Sequence, residues 1–447
     1  PSIPVLVVRG IKLNSLAPPT GYSRKNIERY KNLLNHKKQK TKNKKREEKQ
    51  YLMYRKLYRR SSTVPHCDAS PVQVDRKIAN HLRTHQHLNL ENRGIGTSPT
   101  TSATDMSAPV AKENKLPYVF LGKSGLKVSN MGLGTMTFGE NFYGLPGQCD
   151  ENTAHQIINR FVEWGGNFID TADMYGRGNS EKIIGKWLER QERENFVLAT
   201  KVRFNMGVEE NVNNIGLSRR HITEGIDKSL NRLHTNYVDL YQTHCFDDAT
   251  PIEETLRTLD DLVRSGKVRY VGVSNVTGWQ LQKLVDATER LGINPIVSLQ
   301  QQYSLASRDS ELEAFQVCKS AGIGVLPWSP LKGGLLTGKV KRGAKPTEGR
   351  LAWVAGDEKK SSQIAPAWTT LDDKTFDVIE ALEAIAKKHD RSVPQVAIRW
   401  LLQRDVVSSV ILGARTLPQL EDNLGAGNGW SLTKQEVSKH MSRGVAR

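Results

Sequence analysis

Cysteine is scarce in this chain, which has four cysteines among 447 residues. They are widely spaced, at Cys67, Cys149, Cys245 and Cys318, and no two stand in a C-x-x-C arrangement. This scarcity argues against a disulfide framework and a cysteine-based zinc module, and it fits a reducing compartment.

Long apolar stretches are also missing. No apolar run reaches the roughly 18 residues that a transmembrane helix needs. Residues 3–8, the longest early run, are too few for the core of a secretory signal. We therefore expect no membrane insertion and a cytoplasmic location.

The excess of positive charge is concentrated in the first quarter of the chain. Residues 1–105 carry 22 lysines and arginines against 7 acidic residues, whereas residues 106–447 carry 43 against 40. The net charge of +18 therefore describes the N-terminal segment, and we expect no nucleic acid to bind the remainder. Nucleic-acid binding through residues 24–60 is a weaker alternative.

The same N-terminal segment lacks the composition of a folded domain. Residues 31–50 form a basic low-complexity run, and residues 96–109 form a Ser/Thr/Pro-rich linker. We expect residues 1–105 to be a disordered basic appendage, because the chain starts at Pro1 and Met106 is a natural start for the domain behind it. His81 and His85 resemble the end of a zinc finger, but the paired cysteines are missing, so we expect no metal site.

From residue 116 onward the pattern becomes regular. Residues 118–129 predict a hairpin with a Ser-Gly turn, and apolar strand-like runs then alternate with segments of helical periodicity. The eight candidate strands cover residues 131–136, 167–170, 197–201, 238–244, 268–274, 296–302, 324–328 and 408–412. Eight strands, each followed by a helix, predict an α/β fold of the (β/α)8 TIM-barrel type over residues 116–427, with a C-terminal tail over residues 428–447.

A glycine-rich dinucleotide fingerprint is absent, which weakens the alternative of a doubly wound open sheet. Such a sheet would carry G-x-G-x-x-G after its first strand. Gly132 and Gly134 match the first two glycines, but Thr137 stands where the third belongs. The pattern therefore favours the closed barrel.

Polar residues stand at the ends of three apolar runs. Asp170, Lys201 and His244 close the second, third and fourth candidate strands, and Tyr175 lies in the loop after the second. Each residue alone has an ordinary structural explanation, such as a cap, a buried ion pair or a core histidine. Because the carboxyl ends of barrel strands meet at one face, the four together indicate a catalytic mouth.

These four residue types suit the reduction of a carbonyl group. The Lys201 ammonium, held by Asp170, would lower the pKa of Tyr175, and His244 would donate a hydrogen bond to the carbonyl oxygen. Tyr175 would then act as the general acid. The side chains supply no hydride, so a nicotinamide cofactor is implied.

At this point the sequence resembles the aldo-keto reductase family over about residues 116–427. The resemblance rests on GNFIDTADMYGRGNSEKIIGKWL (166–188), VRYVGVSN (268–275), LPWSPLKGGLLTGK (326–339) and VILGARTLPQLEDNL (410–424). It implies a TIM barrel that binds NADP(H) across its C-terminal face, and a catalytic tetrad of Asp170, Tyr175, Lys201 and His244. The motifs are most similar to the bacterial-type and potassium-channel β-subunit branch.

The resemblance also implies a set of cofactor contacts. Ser274, Asn275 and Gln300 would meet the nicotinamide carboxamide, and Trp328 would stack on the nicotinamide ring. The remaining implied contacts are Thr135, Met136 and Ser329, then Leu331, Lys339 and Arg350 at the pyrophosphate, and Gly413, Arg415, Gln419 and Asn423 at the adenosine end. Where many members have Lys-Ser this chain has Gly-Ala followed by Arg415, and an arginine suits the 2′-phosphate of NADPH.

Two functional hypotheses follow from this resemblance. The first is an NADPH-dependent reductase of small aldehydes or ketones. The second is an NADP(H)-sensing regulatory β-subunit of a membrane channel, with slow or vestigial chemistry and with the channel as its partner. A homo-oligomer is an expectation under either hypothesis, and the sequence names no substrate.

Overall fold

The structure is a computed structural model that describes residues 116–139, 148–206, 211–344, 352 and 373–439. The extension predicted over residues 1–105 lies outside these residues. The described part begins with an antiparallel hairpin of β1 (Tyr118–Phe120) and β2 (Lys127–Ser129), in which Tyr118 lies opposite Ser129. The predicted hairpin is confirmed, although its turn is longer than the expected Ser-Gly pair.

Eight parallel strands form the central sheet. They are β3 (Met131–Gly134), β4 (Phe168–Asp170), β5 (Val197–Val202), β6 (Val238–Thr243), β7 (Val268–Ser274), β8 (Ile296–Gln302), β9 (Gly324–Trp328) and β10 (Val410–Gly413). From β3 to β9 each strand pairs with the next one in the chain, and β10 pairs with β3. The ring closes where Val325 donates to Val406 O and accepts from Ser408 N, both at 2.9 Å.

Helices follow the strands in the order that the barrel requires. They are α1 (Glu151–Glu163), α2 (Asn179–Leu188), α3 (Arg219–Leu233), α4 (Ile252–Arg264), α5 (Gly278–Leu291), α6 (Ala314–Ala321), α7 (Asp373–His389), α8 (Val393–Leu402), α9 (Leu417–Leu424) and α10 (Lys434–Lys439). One helix follows each strand from β3 to β8, whereas α7 and α8 both lie between β9 and β10. The TIM barrel predicted from the alternation is therefore confirmed.

Helix α4 illustrates how the sequence determines these helices. Leu256, Leu259 and Leu262 are buried and recur at helical spacing, so they face the barrel. The helix begins at Ile252, and Pro251 occupies the N-cap position directly before it. Gly266, with φ of 78°, follows the helix end in the left-handed conformation that favours glycine.

The hairpin closes the N-terminal end of the barrel. Leu121 and Val128 belong to the same buried cluster as Phe168, Leu240 and Leu326, which line the lower barrel interior. This plug leaves the C-terminal end of the barrel free to form a cavity. No helix among the described residues is long and apolar enough to cross a membrane.

Candidate active site

Lys201 is the centre of a buried polar cluster at the C-terminal end of the barrel. Its Nζ donates to Asp170 Oδ2 at 2.6 Å, to the Thr171 carbonyl at 2.8 Å and to Tyr175 Oη at 3.2 Å. The Lys201 side chain is fully buried. Burial alone would lower the pKa of Lys201, but Asp170 and Tyr175 outweigh it and raise that pKa, so the ammonium stays charged.

The hydroxyl of Tyr175 is held in its protonated form. Burial raises the pKa of Tyr175, and the charge of Lys201 opposes this rise without cancelling it. The sequence led us to expect a lowered pKa, because the ammonium was the only effect visible there. In the structure Tyr175 is half-buried at the cavity wall, and the partial loss of water around the phenol is the larger effect.

The turn that carries Tyr175 is fastened at its far end by the first residues of α2. Ser180 Oγ donates to the Thr135 carbonyl at 2.9 Å, and Glu181 accepts from Thr200 Oγ1 at 2.7 Å. Gly178 has φ of 84°, and a Cβ there would lie 2.7 Å from the side chain of Arg232, so the turn requires glycine at this position. These contacts tie the tyrosine turn to the strands on either side of it.

His244 lies beside Tyr175 directly after the end of β6. The rings of His244 and Tyr175 are nearly perpendicular with centroids 5.8 Å apart, and the centroid of the Phe204 ring is 5.0 Å from that of His244. Burial and the charge of Lys201 hold the pKa of His244 well below its usual value. The imidazole is therefore neutral at neutral pH and keeps one N–H to donate.

Asp170 has two further partners. Gln300 Nε2 donates to Asp170 Oδ1 at 2.7 Å, and Gln242 Nε2 donates to the same oxygen at 3.1 Å. Gln242 was not among the sequence-predicted residues. A signal existed, because Gln242 is two positions before His244 and therefore lies on the interior face of β6.

A cavity of about 720 Å³ opens beside this cluster. It is lined by Asp170, Tyr175 and His244, whereas Lys201 lies behind them. Of the cofactor residues implied by the resemblance, the following line the cavity: Thr135, Met136, Ser274, Asn275, Gln300, Trp328, Ser329, Leu331, Lys339, Gly413, Arg415, Gln419 and Asn423. Arg350 lies outside the described residues.

Several of these residues already hold one another in place. Asn275, with φ of 53°, donates from Nδ2 to the His244 carbonyl at 2.9 Å and accepts from Trp328 Nε1 at 3.1 Å. Gln419 Oε1 accepts from the backbone N–H of Arg415 at 3.2 Å. The walls of the cavity are therefore cross-linked by hydrogen bonds before any ligand enters.

The two ends of the cavity differ in chemistry. Tyr175, His244, Phe204 and Trp328 give one end an aromatic lining, whereas the cationic residues Lys339 and Arg415 line other parts. Residues 333 and 334, which also line the cavity, are glycines in the left-handed region, and a Cβ on Gly334 would meet nothing within 4 Å. The cavity thus offers an open backbone stretch and cationic groups for phosphate, together with aromatic faces for a ring.

Comparison with known proteins places this architecture in a family. The sequence pattern of the Aldo/keto reductase family matches residues 130–442. This chain belongs to the aldo/keto reductase family. It is therefore an oxidoreductase of a family that uses a nicotinamide cofactor.

Relatives of this aldo/keto reductase come from bacteria and fungi. It is 36% identical to the uncharacterized oxidoreductase YrpG of Bacillus subtilis, over 70% of this chain and 91% of that protein. It is 33% identical to versiconal hemiacetal acetate reductase of Aspergillus parasiticus, over 72% of this chain and 95% of that protein. It is 31% identical to norsolorinic acid reductase of Aspergillus flavus, over 71% of this chain and 78% of that protein.

Proposed function

We propose that this aldo/keto reductase reduces aldehyde or ketone carbonyls to alcohols with NADPH, and that Tyr175 supplies the proton. The observation that carries the proposal is the placement of Lys201 Nζ between Asp170 Oδ2 and Tyr175 Oη, at 2.6 and 3.2 Å. A charged lysine next to a phenol at the wall of an open cavity is suited to general acid catalysis.

The donor set of the cavity fits NADPH. Lys339 and Arg415 supply positive charge for phosphates, and the glycines at 333 and 334 let a phosphate approach the backbone closely. The indole of Trp328 supplies an aromatic face, and Ser274 and Gln300 line the same cavity with polar side chains. These residues would hold the dinucleotide with its nicotinamide at the tetrad end.

When bound, NADPH supplies the hydride that the side chains lack. The residues themselves handle the oxygen of the carbonyl. Neutral His244 donates an N–H to that oxygen and orients it, and Tyr175 Oη then transfers its proton to the oxygen as negative charge develops. Lys201, kept charged by Asp170, stabilises the phenolate that this transfer leaves behind.

The choice of NADPH over NADH rests on Arg415. A guanidinium forms paired charge-assisted hydrogen bonds with phosphate, and Arg415 lines the cavity together with Gln419 and Asn423 of α9. Arg415 thus takes the place of the Lys-Ser pair found in many family members.

The names of the relatives favour reduction over channel regulation. Two of those reported above are named as reductases, of norsolorinic acid and of versiconal hemiacetal acetate. Neither name refers to a channel, so the regulatory β-subunit, like placement in the bacterial-type branch, depends on the sequence resemblance alone.

A variant of Tyr175 tests the proposal directly. We expect the wild-type chain to oxidise NADPH with a panel of aldehydes and ketones, and Tyr175→Phe to lose turnover by about 10²–10⁴-fold. The affinity for NADPH, measured by fluorescence titration, should stay within about twofold, because phenylalanine preserves the ring. Full turnover in Tyr175→Phe would contradict the role of Tyr175 as proton donor.

A further inference from the structure

The large exposed apolar side chains of the described residues are unevenly distributed. Tyr118 and Phe120 belong to the hairpin at the closed end of the barrel. The others stand on segments that follow the carboxyl ends of strands: Val212, Ile215, Trp279 and Leu312. The exposed apolar surface is thus concentrated on the face that carries the tetrad. Exposed apolar patches of this kind often mark a binding site.

Arg203 links two further aromatic residues on this face to the catalytic cluster. Phe204 lines the cavity and contacts His244, and the neighbouring Arg203 lies over the Phe204 ring at 6.0 Å. Arg203 Nε also reaches the Phe246 carbonyl at 3.5 Å. The ring of Phe246 meets Trp279 at 6.1 Å in an edge-to-face arrangement.

The loop that bears Phe246 is held by hydrogen bonds. Asp247, next to Phe246, accepts from the Leu217 N–H and from Thr250 Oγ1, both at 2.7 Å. The same carboxylate pairs with Arg203 at 3.4 Å, and these donors lower its pKa although burial alone would raise it. A buried, ionised Asp247 therefore joins the loops after β5 and β6 into one frame.

We propose that Phe246 and Trp279 form a distal subsite for the second ring of an extended aromatic carbonyl substrate. The carbonyl-bearing ring would lie against Phe204 near His244, and the substrate would extend past Arg203 toward Phe246 and Trp279. This subsite rests on the proposed function, because it takes the carbonyl end of the substrate to be reduced at Tyr175.

The side chains of this rim, which consists of Phe246, Trp279 and their neighbours Arg203 and Lys283, determine which class of substrate would bind. Trp279 is 53% exposed and lies in the first turn of α5, so covering it with a flat ring removes apolar surface from water at little cost in backbone ordering. Lys283 lies over the Trp279 ring at 5.2 Å, and Arg203 is paired with Asp247. The rim therefore offers aromatic faces flanked by positive charge, which suits a neutral or phenolic aromatic ring system and gives no advantage to an aliphatic one.

The experiment compares substrates that share one reacting ring. Benzaldehyde reaches only the inner ring position, 4-phenylbenzaldehyde adds a second aromatic ring, and 4-cyclohexylbenzaldehyde adds an aliphatic ring of similar size. We expect kcat/KM to be highest for 4-phenylbenzaldehyde. In Trp279→Ala the ratio of kcat/KM for 4-phenylbenzaldehyde over benzaldehyde should fall by about fivefold, whereas the control Phe120→Ala, an exposed aromatic at the opposite end of the barrel, should keep the wild-type ratio.

Binding of the product alcohol provides a second measurement that needs no turnover. The affinity for 4-phenylbenzyl alcohol in the presence of NADP⁺, measured by calorimetry, should fall by about fivefold in Trp279→Ala and stay unchanged in Phe120→Ala. This loss of affinity would support the subsite even if every aldehyde failed to react. Failure of every aldehyde to react would refute the reductase proposal and leave the subsite standing. Unchanged ratios and affinities in Trp279→Ala would overturn the subsite. So would a dimer that dissociates in that variant by sedimentation, because the patch would then be a protein contact.

Discussion

The ionisation states of the tetrad depend on where each side chain lies relative to water. Burial keeps the proton on Tyr175, and it also removes the proton from His244. Lys201 is buried as well but stays charged, because Asp170 is 2.6 Å away. Partial or complete loss of water therefore leaves Tyr175 as a proton donor, His244 as a neutral hydrogen-bond donor and Lys201 as a cation. The charged neighbours of each side chain determine which state it takes.

The Gln242 amide tests how far Asp170 depends on its supporting donors. In Gln242→Leu, Asp170 Oδ1 loses the donor at 3.1 Å, which weakens the hold of the carboxylate on Lys201. We expect the alkaline limb of the pH profile of kcat/KM to move down by up to about one unit, because the ammonium then deprotonates more readily. The measurement is NADPH oxidation with one aldehyde across the alkaline range.

The matched control for Gln242→Leu is Ser298→Ala on β8, which is separated from β6 by β7. Ser298 is fully buried in the barrel, and its hydroxyl has no hydrogen-bond partner among the described residues. Its removal should leave the alkaline limb in place. Equal shifts in both variants would mean that the profile reports general loosening of the barrel interior and not the Asp170–Gln242 bond.

A second prediction at the residue scale concerns Arg415 and the preference for NADPH over NADH. In Arg415→Ala we expect the dissociation constant for NADPH to rise by about tenfold or more, and that for NADH to change by less than about twofold, because only NADPH carries the 2′-phosphate. Lys339→Ala is the comparison, since a pyrophosphate contact should weaken both cofactors alike. Fluorescence titration gives all the constants, and an equal loss of both cofactors in Arg415→Ala would contradict the assignment.

At the scale of elements, strand positions follow closely from the sequence, and side-chain partners follow less well. The predicted bounds 268–274, 296–302 and 324–328 are those of β7, β8 and β9, because glycines and helical periodicity delimit each run. The support that Glu181 gives to the tyrosine turn was not predictable. It depends on Thr200 Oγ1 of β5 lying 2.7 Å from the Glu181 carboxylate, which follows from how α2 packs on the strand.

The last described helix, α10, is attached to the barrel by Glu436. Its carboxylate accepts from Lys388 Nζ at 2.6 Å and from the Thr433 N–H at 2.8 Å, and His389 lies at 3.1 Å. Burial alone would raise the pKa of Glu436, but these partners lower it to about 2. This helix lies within the region predicted as a tail.

A depressed pKa means that Glu436 stabilises the fold while it is ionised. This stabilisation is complete above the ordinary pKa near 4.5 and is lost as the pH falls toward 2. In Glu436→Gln we expect the free energy of unfolding at neutral pH to fall by about 1–3 kcal/mol. The variant should also lose less stability than the wild type when the pH drops from about 6 to about 3. Urea unfolding at several pH values measures both effects.

An exposed ion pair provides the control for Glu436. Glu151 pairs with Lys186 at 2.7 Å, and both side chains are about half exposed. Glu151→Gln should cost less than about 1 kcal/mol and leave the pH dependence unchanged. A similar cost in both variants would show that α10 is not held by Glu436 in particular.

At the scale of the whole molecule, the barrel is closed by residues far apart in the chain. β3 and β10 pair across roughly 280 residues, and the hairpin seals the opposite end from the site. The alternation of eight strands and helices was sufficient to predict this ring, because that prediction does not depend on individual side-chain contacts. The aromatic rim at Phe246 and Trp279 was not predictable, because those residues are distant in sequence and meet only once the barrel forms.

The N-terminal 105 residues provide the last prediction. They hold most of the excess positive charge, and the described barrel begins at residue 116 with its own hairpin plug. We therefore expect a chain that starts at Met106 to unfold within about 2 °C of the full chain and to oxidise NADPH at the same rate with the same aldehyde. Thermal unfolding and steady-state kinetics on both chains measure this. A marked fall in either quantity would mean that the basic segment contributes to the barrel and would refute its interpretation as an appendage.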